Sequence, residues 1–223
     1  MFQRTTPLLV CNQAQRLSKL GFNLVRIHHH DSDWVSPNIF GAESASTREL
    51  NAASLEKIDW WIKCLRDEGI YIWLDLHVGR RMTGSDGVEA FEEIADPSRK
   101  TADPRGYMYV NESLKARSKE FAEAYLTHVN QHTGIAYKDD PAIVAVLITN
   151  ENDLTHHFGN ALLPDKNVPW HNARYMKLAG AFASRSGLDF EQVWRSWEFG
   201  PSKIFLADLE HAFLSDMTRY VRD

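Results

Sequence analysis

The sequence predicts an α/β protein of the (β/α)8 TIM-barrel class, present as an incomplete half barrel, on three observations. An amphipathic helical stretch, a glycine stop and a short apolar strand recur in that order three times. The strands are apolar almost throughout, as a parallel sheet covered on its faces requires. Charged and imidazole residues then gather at the C-terminal ends of three successive strands, where barrels of this class carry their active sites. In an open doubly wound sheet they would gather at the switch point between strands instead.

In the first repeat, Ala14, Leu17 and Leu20 share a helical face, Gly21 supplies the stop, and Phe22 to Ile27 reads as a strand. In the second, Ser54 is placed to cap a helix with Leu55, Ile58, Ile62 and Leu65 on one side. Gly69 ends it, and Ile70 to Leu76 forms the strand. In the third, Ser113 precedes a helix carrying Phe121, Tyr125 and Val129. A turn with Gly134 and Asp139-Asp140-Pro141 leads into the run Ala142 to Ile148. A long loop from Asn152 to Trp170 follows, then helical stretches around Arg174–Ser184 and Phe190–Trp197. The last helix runs from about Ser202 to Arg222, with Phe205, Leu209, Phe213, Met217 and Tyr220 on one face. A barrel of this class closes with about eight strands. Residues 1–223 are therefore expected to form one partial domain, the first to fourth β/α units.

With 43% hydrophobic and 25% charged residues, the composition is that of a globular protein. A formal net charge of −5, without a basic stripe, argues against a nucleic-acid partner. No apolar run approaches the roughly 20 residues of a membrane span. The segment after Met1 lacks a basic-then-apolar leader pattern, and the compartment stays open. Cys11 and Cys64 show neither a disulfide framework nor a metal spacing and read as small buried hydrophobes. Trp60 and Trp61 read as packing within a helix, and Arg80-Arg81 and Glu92-Glu93 as solvated surface.

Strand side chains alternate, so Arg26 and His28 point one way, as do Asp75 and His77, and Thr149 and Glu151. If those sides face inward, an Arg, an Asp, two His and a Glu converge at the strand tops. An Arg beside carboxylates holds one of them ionised through paired charge-assisted hydrogen bonds. A Glu in a partly apolar pocket is shifted toward protonating a leaving group.

Gly21-Phe22-Asn23-Leu24-Val25-Arg26 resembles the second strand of clan-A glycoside hydrolases, in particular the cellulase-like family 5. Ile72-Trp73-Leu74-Asp75-Leu76-His77 resembles their third strand, and Ile148-Thr149-Asn150-Glu151 the Asn-Glu end of their fourth. The likeness covers roughly residues 12 to 155. It implies that Glu151 is the general acid/base, that Asn150 binds the sugar 2-hydroxyl, and that Arg26 braces a nucleophilic carboxylate. It also implies that His77 lines the subsite near the scissile bond and that Asp75 supports Arg26. The nucleophile of the family, a Glu on the seventh strand, has no counterpart in these 223 residues, so the chain alone is expected to be inactive.

His28 is expected to touch sugar, and Trp34 and Trp170, both read as loop residues, to stack on it. No cofactor or metal is expected. The run His28-His29-His30-Asp31-Ser32-Asp33 leaves one alternative, a metal-dependent amidohydrolase-like barrel. A catalytically inactive carbohydrate-binding barrel is another. The expected partner is a carbohydrate, with self-association through open sheet edges.

Overall fold

The computed structural model describes residues 7–35, 38–41, 44–195 and 199–223. The segment after Met1 and the Trp197 end of one expected helix lie outside them. In chain order the elements are α1 (Pro7–Lys19), β1 (Leu24–Ile27), α2 (Ala52–Asp67), β2 (Tyr71–His77), β3 (Met82–Thr83), α3 (Phe91–Ile94), β4 (Ala95–Asp96) and β5 (Thr101–Ala102). Then come α4 (Glu112–Leu126), β6 (Ile143–Thr149), α5 (Pro169–Ser186), α6 (Phe190–Trp194) and α7 (Pro201–Arg222). Two compact units result. The first holds residues up to Arg80 with Glu120–Asn150, the second Arg81–Lys119 with Glu151–Asp223.

The first unit is built on a parallel sheet of order β1-β2-β6. Leu24 pairs with Tyr71 and Arg26 with Trp73 across β1 and β2, while Asp75 pairs with Leu147 and His77 with Thr149 across β2 and β6. Ile72, Leu74 and Leu76 are fully buried, which gives β2 the apolar character of a central strand. Among the described residues, β1 and β6 each pair with β2 alone.

Helix α2 starts one turn before the expected cap. The Asn51 side chain accepts the backbone N–H of Ser54 at 3.0 Å and its hydroxyl at 3.2 Å. Asn51 is the cap, and Ser54 is the residue it satisfies. Helix α4 is likewise capped by Asn111, whose side-chain oxygen accepts from the N–H and hydroxyl of Ser113. Leu20 falls beyond α1 and is 65% exposed, so Ala14, fully buried, carries the helix face instead.

The reading of Cys11 and Cys64 as unpaired hydrophobes is corrected. They form a disulfide that ties α1 to α2, with Cα atoms 4.9 Å apart. Spacing of two cysteines along the chain carries no information about which helices pack.

A buried carboxylate on α2 fixes the segment that aims β6. Asp59 accepts the Tyr137 hydroxyl at 2.6 Å, the Gln131 N–H at 3.2 Å and His128 Nε2 at 3.0 and 2.9 Å. Its carbonyl takes the Asn130 amide at 3.0 Å. Removing any one donor would strand a desolvated charge. Arg80 is also buried, against expectation. It donates to the Thr47 hydroxyl and carbonyl at 2.9 and 2.8 Å and lies over Phe40 and Phe121.

The second unit contains a small antiparallel sheet of order β3-β5-β4, which the sequence did not suggest because each strand has two residues. Its helices pack through Phe205, Leu209, Phe213 and Met217 of α7, all buried; Tyr220 is partly exposed. Glu93, expected on solvated surface, instead accepts the Trp170 N–H at 2.8 Å and His171 Nδ1 at 2.9 Å. Those bonds satisfy the start of α5. His171 is buried and meets the Asn111 amide through Nε2 at 3.0 Å. The described residues include no helix long and apolar enough to cross a membrane.

Candidate functional site

The strand tops of the first unit meet at Asp75, fully buried on β2. Register places Arg26 beside Trp73, one alternation below Asp75 on the same face of the sheet. Arg26 Nε donates to both Asp75 oxygens, at 3.0 and 2.9 Å, and Nη2 lies 2.8 Å from Oδ2. The same Nη2 donates to Asn150 Oδ1 at 2.7 Å. The guanidinium also stands 5.7 Å from the Trp73 ring centroid. His28, two residues past Arg26, reaches Asp75 Oδ2 through Nδ1. A carboxylate removed from water is therefore matched by a guanidinium and an imidazole in hydrogen-bonding geometry.

Asn150 extends the β2–β6 ladder by one step, its N–H donating to the His77 carbonyl at 2.8 Å. That bond sets Asn150 next to His77 at the top of the sheet. The His77 ring is buried and lies 5.2 Å from Phe121. Arg26, His28, Asp75, His77 and Asn150 thus come together at one end of the first unit.

Glu151 opens the second unit. It is exposed and adopts a left-handed backbone, φ 48°. Simple alternation from Thr149 therefore does not describe its direction, because the strand has ended. Non-glycine residues in this region carry strain of order 1 kcal/mol and concentrate at functional sites. The next residues hold firmly within their unit. Asn152 is buried and accepts the Gly106 N–H at 2.9 Å; Asp153 caps the following helical turn through the His156 and His157 N–H groups at 2.7 and 3.1 Å.

Trp170 is not in a loop. It occupies the first turn of α5 in the second unit, and the Arg174 guanidinium lies 3.0 Å from its ring centroid. One face of that indole is taken by Arg174. Trp34, by contrast, is in a loop and 68% exposed.

The histidine run divides by role. Asp31 is buried and accepts the N–H groups of Val78, Gly79 and Arg80 at 2.8, 3.0 and 3.2 Å, fastening the loop after β2. Gly79 is required there, since a Cβ would collide with the Ser32 side chain. His30 is buried between Phe121 and Tyr125, ring centroids 6.3 and 4.9 Å away, and neither of its nitrogens is hydrogen-bonded among the described residues. Burial lowers its pKa against the opposing pull of Asp31 and Asp75. The His29 ring lies against those of His28 and Trp34, tilted to each, with centroids 4.0 and 4.7 Å away. Sequence reasoning named neither Asp31 nor His29 individually; the positive φ of His29, 59°, has no sequence signal. Among the described residues, no three His, Cys, Asp or Glu side chains are grouped as ligands for one ion.

No known protein-family profile matches the sequence, and no curated protein matches it. Solved structures do. The endo-1,4-β-mannanase from Rhizomucor miehei superposes with a TM-score of 0.51 at 19% identity, over 82% of this chain and 51% of that one. The chain shares the α/β fold of part of that enzyme. An endo-β-1,4-mannanase from Thermotoga petrophila gives a TM-score of 0.46 at 18% identity, over 82% of this chain and 38% of that one. The hyperthermostable endo-1,4-β-D-mannanase from Thermotoga petrophila RKU-1 gives 0.45 at 17%, over 81% and 49%. The chain spans about half the length of the Rhizomucor enzyme. Its parallel sheet has three strands among the described residues, so no closed barrel is formed.

Proposed function

We propose that this protein acts as a retaining O-glycoside hydrolase on β-linked poly- or oligosaccharides, related to the cellulase-like family 5, with Glu151 as general acid/base. One observation carries the reading. At the tops of neighbouring parallel strands, the Asn150 amide is held by Arg26, Arg26 is held by buried Asp75, and an exposed carboxylate follows directly. The fold shared with part of a β-mannanase supports it and makes β-1,4-mannan the first substrate to try.

In this reading each residue has a chemical task. Glu151 protonates the glycosidic oxygen as the bond breaks, then removes a proton from the water that completes the second step. With its Oδ1 engaged by Arg26, Asn150 keeps its NH2 free in orientation to donate to a sugar hydroxyl. His77 lines the same end of the sheet. Arg26 braces the nucleophilic carboxylate, which this reading places outside these 223 residues. Retaining hydrolysis needs that second carboxyl about 5–5.5 Å from the first.

Calorimetric titration of the chain with mannohexaose tests the reading. Binding is expected, weakened about tenfold by Asn150→Ala, the loss of one to two hydrogen bonds. Absence of binding to mannan, cellulose and xylan oligomers alike would remove the carbohydrate assignment.

A further inference from the structure

We propose that Asp75 fixes the Nδ1–H tautomer of neutral His28, so that its Nε2, with the neighbouring rings of His29 and Trp34, forms a second sugar subsite in which Nε2 accepts from a pyranose hydroxyl. The proposal rests on the glycosidase reading and names how one side of that site would discriminate its substrate.

The argument begins with what Asp75 needs. Its two oxygens are already engaged by the Arg26 guanidinium, so its charge is balanced without His28. A carboxylate in such a pair offers lone pairs only. The His28 Nδ1 that meets Oδ2 must therefore carry the proton. In the neutral ring this leaves Nε2 as a bare acceptor, a tautomer set by the partner of the other nitrogen. What His28 gains from Asp75 is the orientation of its own ring. The side chain stays 31% exposed, and no hydrogen bond to Nε2 is formed among the described residues.

The surroundings match what a pyranose presents. Sugars offer an apolar C–H face and a rim of hydroxyls, and their sites combine aromatic surface with a few oriented polar groups. His29 is held in the left-handed region, φ 59°, with Nδ1 against the Ser32 hydroxyl at 2.9 Å. That conformation sets its ring 4.0 Å from His28 and 4.7 Å from Trp34, whose indole is open to solvent. A row of three rings thus ends at the acceptor. Asp75 is here a positioning residue; it touches no sugar itself.

The test is histidine 15N NMR on the full 223-residue chain, followed by titration with mannohexaose. The expected spectrum shows His28 protonated at Nδ1 and bare at Nε2, with the Nε2 resonance moving as sugar is added. Asp75→Asn is expected to release the ring to the opposite tautomer, which a merely structural role would not do. Since that variant removes a buried charge, His28→Phe serves as the second probe: it keeps the stacking surface and should weaken binding about tenfold. A proton on Nε2 in the wild type, or wild-type affinity in His28→Phe, overturns the proposal. A sugar-induced shift at His77 without one at His28 overturns the subsite alone. Silence at both overturns the glycosidase reading as well.

Discussion

The Nε–H of Arg26 donates to both oxygens of Asp75, at 3.0 and 2.9 Å, across two adjacent parallel strands. The carboxylate is fully buried while the guanidinium is 39% exposed on its side chain, so the two partners are not equivalent. Asp75→Ala leaves both a cation and an imidazole facing an apolar gap. It should cost about 2–3 kcal/mol, less than a fully buried pair because Arg26 can turn to water. Arg26→Ala strands the carboxylate and should cost at least as much. Urea denaturation of the two variants checks the order.

Much of this arrangement was legible in the sequence, and the reason is periodicity. Alternation alone put Arg26 and His28 on one side of a strand, and both reach Asp75. The strand order β1-β2-β6 follows from helical crossovers between apolar runs. What stayed hidden depends on backbone outliers or long-range contact. The left-handed φ of His29 and Glu151, the Cys11–Cys64 bond, and the burial of Arg80 and Glu93's partner His171 leave no period in the chain. Trp170 was expected to close the long loop that begins at Asn152. In fact proline at the first helical position starts α5.

Acid should weaken the fold through His30. Its folded pKa lies below the ordinary 6.5, first because of burial, so the neutral ring is the form the structure favours. That stability is complete above about pH 6.5 and is lost as the pH falls and the unfolded chain takes up the proton. His171 is lowered chiefly by burial too and adds to the trend in the second unit. His30→Phe, stacking on Phe121 and Tyr125, should flatten part of the pH dependence and raise stability below pH 6, by about 1 kcal/mol. Melting curves from pH 4.5 to 8 show whether it does.

The Cys11–Cys64 bond, spanning 53 positions, constrains the unfolded chain. On the chain-entropy account a loop of that size contributes about 4 kcal/mol. Reduction, or Cys11→Ser with Cys64→Ala, should lower the melting temperature and loosen α1 first. Hydrogen exchange reporting equal protection of α1 with and without the bond would contradict this.

Among the described residues, β1 and β6 are edge strands, whose outer backbone groups can pair with another copy. Purified chain is expected to self-associate as concentration rises, and light scattering reads the result directly. A monodisperse monomer at high concentration would count against it. In the proposed reading the 223-residue chain alone should not turn over aryl β-glycosides, because retaining hydrolysis needs a second carboxyl beside Glu151.

The assignment of Glu151 is the claim on which the functional account turns. The decisive measurement compares wild type and Glu151→Gln in the intact gene product on two aryl β-glycosides, one with a good leaving group and one with a poor one. Loss of the acid should lower kcat/KM on the poor leaving group roughly 10²–10⁴-fold while sparing kcat/KM, though not kcat, on the good one, whose second step still needs the base. Equal rates for wild type and variant on the poor leaving group would contradict the account.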